Sequence, residues 1–123
     1  MYRIEKTIKV SSMHNLNLDY DSPCKNKHGH NYTIKVGLVG SGVNHNGMLL
    51  DFSHLKRIVN VFDHDNLNDI MDVNPTAENM CLYIANAVNN ALALQNQVDN
   101  VDTEVEYVKI WETDDSWAEW RAE

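Results

Sequence analysis

His28-Gly29-His30-Asn31-Tyr32-Thr33-Ile34-Lys35-Val36-Gly37-Leu38-Val39-Gly40 joins two signals in one run. From His30 to Gly40, Tyr32, Ile34, Val36 and Leu38 alternate with polar or small residues, the period of a strand with one buried face, and Gly40-Ser41-Gly42 ends it. Upstream, residues 2–11 show the same period, with Tyr2, Ile4, Lys6, Ile8 and Val10 against Arg3, Glu5, Thr7 and Lys9. Between them, residues 15–29 are polar and aperiodic, a loop long enough to suggest a job. Downstream, residues 103–113 predict a last strand, with Val105, Tyr107 and Trp111 alternating against Glu104, Glu106 and Val108. Met48 to Asp51, after the turn residues Asn44-His45-Asn46-Gly47, is a short apolar segment expected to pair back as a hairpin strand.

Two helices complete the reading. Leu55, Ile58, Val59 and Phe62 fall at i, i+3, i+4 and i+7, which predicts an amphipathic helix over 53–62 with Asp51 or Ser53 as N-cap. Thr76 caps a longer one, with Glu78 in its first turn and Met80, Ile84, Ala87, Val88 and Ala91 as the buried stripe, ending near Leu94. The order suits an α+β domain in which a small antiparallel sheet is covered on one face by two helices. At 123 residues, a single domain over 1–123 is expected.

Composition narrows the function. Ten basic against eighteen acidic residues leave a net charge of −8 with no cluster of Lys and Arg, which argues against nucleic-acid binding. An anionic ligand would therefore need a local pocket. No apolar run approaches the roughly 20 residues of a membrane span, the N-terminus lacks a secretory apolar region, and a cytoplasmic location is expected by default. Cys24 and Cys81 lie in dissimilar settings: Cys81 follows Met80 on the helical stripe as core, while Cys24 sits in the polar loop.

His28 and His30 share one side of an extended segment, so both imidazoles can reach one metal ion, while Gly29 permits close backbone approach. His14, beyond the first strand, can supply a third ligand if the two strands pair around the loop. Three imidazoles with an open position is the pattern of a catalytic zinc; two solvated surface histidines are the competing reading. Cys24, four residues before His28, is open to three roles: fourth ligand, structural thiol, or base, with spacing favouring the ligand. Asp63-His64 has the composition of an acid/base dyad, although Asp63-His64-Asp65-Asn66 is also ordinary loop composition. Glu112, at the end of the last strand, offers a carboxylate to a guanidine-like edge. His45 and His54 are assigned no role.

Six blocks, Ser11 to His14, Cys24 to Tyr32, Gly47 to Phe52, Asp63 to Asn68, Pro75 to Asn79 and Trp111 to Thr113, together resemble the 6-pyruvoyltetrahydropterin synthase / 6-carboxytetrahydropterin synthase family over nearly the whole chain. The resemblance implies a T-fold (tunnelling fold), with a four-stranded antiparallel sheet and two helices on one face, assembled as a homohexamer of two trimers. It implies Zn2+ on His14, His28 and His30, and Cys24 as general base rather than ligand. Asp63 and His64 would relay protons, contributed by a neighbouring subunit; Glu112 would anchor a pterin, with Thr76 and Glu78 nearby. The three-residue gap Lys25-Asn26-Lys27 between the cysteine and His28 resembles the carboxy branch, which serves queuosine and other 7-deazapurine pathways. That implies conversion of 7,8-dihydroneopterin triphosphate to 6-carboxy-5,6,7,8-tetrahydropterin, with a pyruvoyl-forming or related pterin side-chain lyase as the alternative and a pterin-binding module without turnover as a third reading. Asn15 stands where many members have a basic residue, leaving Lys25 and Lys27 as candidate triphosphate contacts.

Overall fold

In the computed structural model, which describes residues 1–123, one sheet carries all the strands in the order β3-β1-β2-β4-β5. β1 (Tyr2–His14) and β2 (His28–Gly40) form a long antiparallel hairpin whose register sets His14 opposite His28. β4 (Glu104–Thr113) lies antiparallel to β2, and β5 (Ser116–Arg121) antiparallel to β4. β3 (Asp65–Asn66) is a two-residue parallel addition beside Ser12 and Met13. The sheet therefore has four antiparallel strands, the number the resemblance implies although β5 stands in place of the expected 48–51 strand, plus a fifth short one at its edge.

Two of the three helices follow the expected places with altered ends, and the short α2 was not expected. α1 (Phe52–Val59) is capped by Asp51, which accepts from the Ser53 N–H, and passes into a 3-10 turn over Asn60–Phe62. α2 (Leu67–Ile70) is a single turn capped by Asn66. α3 (Ala77–Asp99) is capped by Thr76 and runs past Leu94 to Asn100, which closes it in the left-handed region at φ 53°. The added turn is polar, and its side chains brace loops: Asn96 exchanges two hydrogen bonds with Thr103, and Gln95 donates to the Leu49 carbonyl. That last bond and the one from the Asn44 N–H to the Met48 carbonyl take up the Leu49 and Met48 carbonyls from outside the sheet, and the expected hairpin strand does not form.

The sheet's residues divide between its faces, but not as expected in β4: the irregular register at Gly37/Leu38 shifts the alternation, so Val108 and Ile110 join Val105 on the helix side, while Tyr107 and Trp111 lie on the other. Ile8, Val10, Tyr32, Ile34, Val36, Leu38, Val108 and Ile110 face α1 and α3 and join Leu55, Phe62, Met80, Ile84 and Val88 in one contiguous buried cluster. The other sheet face has no helix. It carries a stack in which Lys109 Nζ sits 3.8 Å from the ring centre of Trp117 and 4.8 Å from that of Trp111. Gly37 is required there, because a Cβ at that position would stand 2.2 Å from the Tyr107 ring. All three tryptophans, Trp111, Trp117 and Trp120, belong to the β4–β5 hairpin. No helix is long and apolar enough to cross a membrane.

Candidate metal centre and its cavity

The β1–β2 register explains how the three histidines meet. His14, at the end of β1, lies across the hairpin from His28, and His30 is two residues along β2 on the same face. Their ligand nitrogens all lie within 4.8 Å of one another. His14 is buried, at 2% exposure, while His28 and His30 are half-buried.

Their backbone contacts decide the tautomers. His14 Nδ1 is 2.7 Å from the Pro75 carbonyl and His28 Nδ1 is 2.7 Å from the Asn26 carbonyl. A carbonyl only accepts, so both Nδ1 atoms carry the proton and both Nε2 atoms present lone pairs. These two Nε2 atoms are 3.0 Å apart. Two facing lone pairs repel unless a cation stands between them, and Zn–N bonds of about 2.0–2.1 Å match that spacing. The donor set thus fits a zinc ion with the outer nitrogens tied to carbonyls, as metal-binding histidines usually are. Burial, followed by the neighbouring His28 and His30, holds the His14 pKa below its ordinary value, with the Pro75 bond and Glu112 opposing. That keeps the imidazole in its ligating form.

Cys24, His14, His28, His30, Leu16, Pro23 and Glu112 line one cavity of about 360 Å³. Cys24 sits in a 3-10 turn (Pro23–Lys25) capped by Ser22, and it is not part of the tight ligand cluster. Glu112, on the helix-facing side of β4, also lines a smaller cleft of about 160 Å³ with Ala77, Glu78, Ser116, Trp117 and Ala118. Glu112 is thereby the shared wall of the two spaces. Thr76 lines neither space; its hydroxyl accepts from the Asn79 N–H as the α3 cap.

Asp63 and His64 lie apart from that cavity, along the outer edge of β1. One Asp63 oxygen accepts the Ser11 N–H at 2.8 Å, the His64 N–H donates to the Ser11 carbonyl at 2.6 Å, and the other Asp63 oxygen is 3.6 Å from His64 Nε2. His64 is held at φ 57°, a strained position for a residue with a side chain. It lines a cleft of about 450 Å³ with Ser11, Met13, Asn31, Asp65 and His30, the last of which also lines the triad cavity. Sequence reasoning treated Tyr32 only as core. Its hydroxyl is 3.3 Å from His14 Nδ1, and burial followed by Glu112 pushes its pKa up, so it is a neutral hydroxyl beside the ligands. Its parity with His28 and His30 on β2 was the available signal.

A hairpin-centred sheet backed by helices on one face, with three imidazoles at the open end of the hairpin, defines a T-fold protein with a candidate metal centre. The chain belongs to the 6-pyruvoyl tetrahydropterin synthase family, whose match extends over residues 3–123. It is 38% identical over 102 residues to an Archaeoglobus fulgidus protein provisionally named 6-carboxy-5,6,7,8-tetrahydropterin synthase, covering 80% of this chain and 78% of that one. It is 29% identical over 128 residues to the 6-carboxy-5,6,7,8-tetrahydropterin synthase of Bacillus subtilis, covering 98% and 85%. The 6-pyruvoyl tetrahydropterin synthase structure from Caenorhabditis elegans superposes with a TM-score of 0.72 at 24% identity, covering 99% of this chain and 96% of the other, a likeness of fold. Membership makes the chain a pterin-processing enzyme acting on a small pterin.

Proposed function

We propose that this chain converts 7,8-dihydroneopterin triphosphate into 6-carboxy-5,6,7,8-tetrahydropterin, releasing acetaldehyde and triphosphate, as a zinc-dependent lyase in 7-deazapurine (queuosine-type) biosynthesis. The observation that carries the reading is one cavity lined by the imidazole triad, a thiol and a strand-end carboxylate. His14, His28 and His30 would hold the zinc, which when bound supplies Lewis acidity to the hydroxylated side chain of the substrate. Cys24 takes the acidified proton as general base. Glu112 accepts N–H bonds from the 2-amino edge of the pterin and so fixes which carbon faces Cys24, with Glu78 and the α3 start beside it. Tyr32 and the carbonyl of Pro75 keep His14 in place during the proton transfers.

Atoms balance without an external redox partner. The triphosphate leaves from C3′ with its bridging oxygen. Hydrogen moves from the side chain into the dihydropterin ring, which is reduced as the side chain is oxidised. Water supplies the second carboxyl oxygen, the C1′–C2′ bond breaks, and C2′ with C3′ departs as acetaldehyde. Asp63 and His64 return protons, reaching the site from a neighbouring subunit of a homohexamer built as two trimers. The sheet leaves β1 from Tyr2 to Val10 and the outer side of β5 without a partner strand, which supports edge-to-edge assembly. Lys25 and Lys27 lie in sequence between the cavity residues Cys24 and His28 and are the cations offered to the triphosphate.

The second reading, formation of a 6-pyruvoyl product without C–C cleavage, is separated by the product itself. Zinc-loaded protein should be incubated with dihydroneopterin triphosphate, the pterin identified by mass spectrometry, and acetaldehyde trapped as its hydrazone. A single carboxyl carbon at the 6-position and stoichiometric acetaldehyde are expected. A pterin that retains all three side-chain carbons as a diketone, with no aldehyde, would replace this reading with the second.

A further inference from the structure

Residues 15–17 extend β1 with side-chain amides, not a neighbouring strand, as their backbone partners. The N–H and C=O of Asn15 are both bound by the Asn68 side-chain amide, each at 2.9 Å. The N–H and C=O of Asn17 are both bound by the Asn74 amide, each at 2.8 Å. A side-chain amide offers the same adjacent donor and acceptor as a peptide group, so Asn68 and Asn74 stand where a neighbouring strand's backbone would. In an extended chain the residue between two such positions points its backbone the other way. Leu16 does so, and its N–H donates to the carbonyl of Cys24 at 2.7 Å.

We infer that Asn68 and Asn74 are positioning residues that fix Cys24 against the metal site by clasping the backbone on either side of Leu16. The inference rests on the catalytic role proposed for Cys24. Neither asparagine lines the cavity, and both act through the 15–17 segment. Each is anchored in turn. Asn68 receives the Asn66 cap through its own N–H, and the Asn74 carbonyl accepts from the Thr76 N–H and the Asn79 amide, each at 2.8 Å. Asn74 also precedes Pro75, whose carbonyl holds His14, so a single dipeptide references both the thiol loop and a triad imidazole. Without the clasps, residues 15–27 form a long loop with Cys24 near its far end, and a base displaced by about 1 Å costs on the order of 100-fold in rate.

The test uses zinc-loaded protein and the variants Asn68→Ala, Asn74→Ala and the double. The rate at which iodoacetamide alkylates Cys24 is followed by mass spectrometry, with buried Cys81 as the internal silent reference. Exchange of the Leu16 amide, zinc content, kcat and KM are measured alongside. The expected result is alkylation faster by about tenfold or more, loss of Leu16 protection, one zinc retained, and kcat down by about 100-fold with KM within threefold. Unchanged alkylation and Leu16 protection in the double variant overturn the inference, as does loss of zinc in parallel with activity, which would make the clasps supports of the histidines. Should the double variant not fold, Asn68→Ala decides, because its side chain is exposed and remote from Pro75 in sequence. If the parent protein turns over no pterin, the proposed function fails, while alkylation and amide exchange still decide the clasp.

Discussion

Replacing Glu112 by Gln isolates recognition of the pterin from the chemistry performed on it. The side chain is half-buried and is the wall common to the triad cavity and the cleft beside α3, so a ligand bridging the two spaces must pass it. A carboxylate there accepts two N–H bonds from a 2-amino pyrimidinone edge. An amide can accept only one and turns a donor against a donor, leaving a mismatch of about 1–3 kcal/mol, or roughly 5- to 150-fold in affinity. The assay is binding of 7,8-dihydroneopterin to zinc-loaded protein by titration calorimetry, which needs no turnover. Zinc content should be unchanged, because Glu112 is not in the ligand cluster. The substitution also removes a negative charge that raises the His14 pKa, so the metal-free variant should show His14 shifted further down by NMR. A Kd within twofold of the parent would refute the assignment of Glu112 to the pterin edge.

Further outcomes follow from the same geometry. His28→Ala should lose most of the bound zinc by elemental analysis, because its Nε2 faces that of His14 at 3.0 Å; full occupancy would remove the triad from consideration. Cys24→Ala should keep its zinc and bind pterin while losing turnover by about 10²–10⁴-fold, whereas loss of zinc would return Cys24 to the ligand role that its spacing first suggested. For the metal-free protein, burial holds the folded His14 pKa below the ordinary imidazole value of about 6.5, so its contribution to stability is complete above that pH and is lost as pH falls below it. Urea midpoints at pH 7.5 and 5.5 should therefore differ, with the lower pH less stable, and equal midpoints would contradict it. Gly37→Ala should cost about 1–3 kcal/mol in urea unfolding, because the added methyl meets the Tyr107 ring.

The β1–β2 hairpin and the triad were legible because both follow from parity, whereas the bulge in β4 reversed the side expected of Tyr107 and Val108. Ile8, Val10 and Ile34 are buried and their neighbours are not, and the same parity that buries them aligns His28 with His30. β5 was not expected, since Trp117 and Trp120 fall on opposite faces of Ser116–Arg121 and give no clean inside and outside. β3 is too short to have a period. The 48–51 segment looked like a strand because Met48, Leu49 and Leu50 are a run of apolar residues, but Gln95 and Asn44 supply partners for its carbonyls from far along the chain and from a turn. Likewise the end of α3 lost its apolar stripe at Leu94 yet continued, since Gln95 and Asn96 are used for bracing rather than for packing. The position of Asp63 and His64 was out of reach for a different reason: their separation from the triad cavity is set by the β1 edge, a pairing between residues more than 50 positions apart.

The confinement of every tryptophan to the β4–β5 hairpin turns intrinsic emission into a local instrument. Trp120 packs against the core and reports whether the hairpin is docked, while Trp117 borders the cleft that Glu112 and Glu78 share. The stacked Lys109 ammonium couples Trp117 to Trp111 across the two strands. A pterin entering that cleft absorbs where tryptophan emits, so occupancy should be read directly as energy transfer from a neighbouring donor, with no label attached and no residue of the site altered.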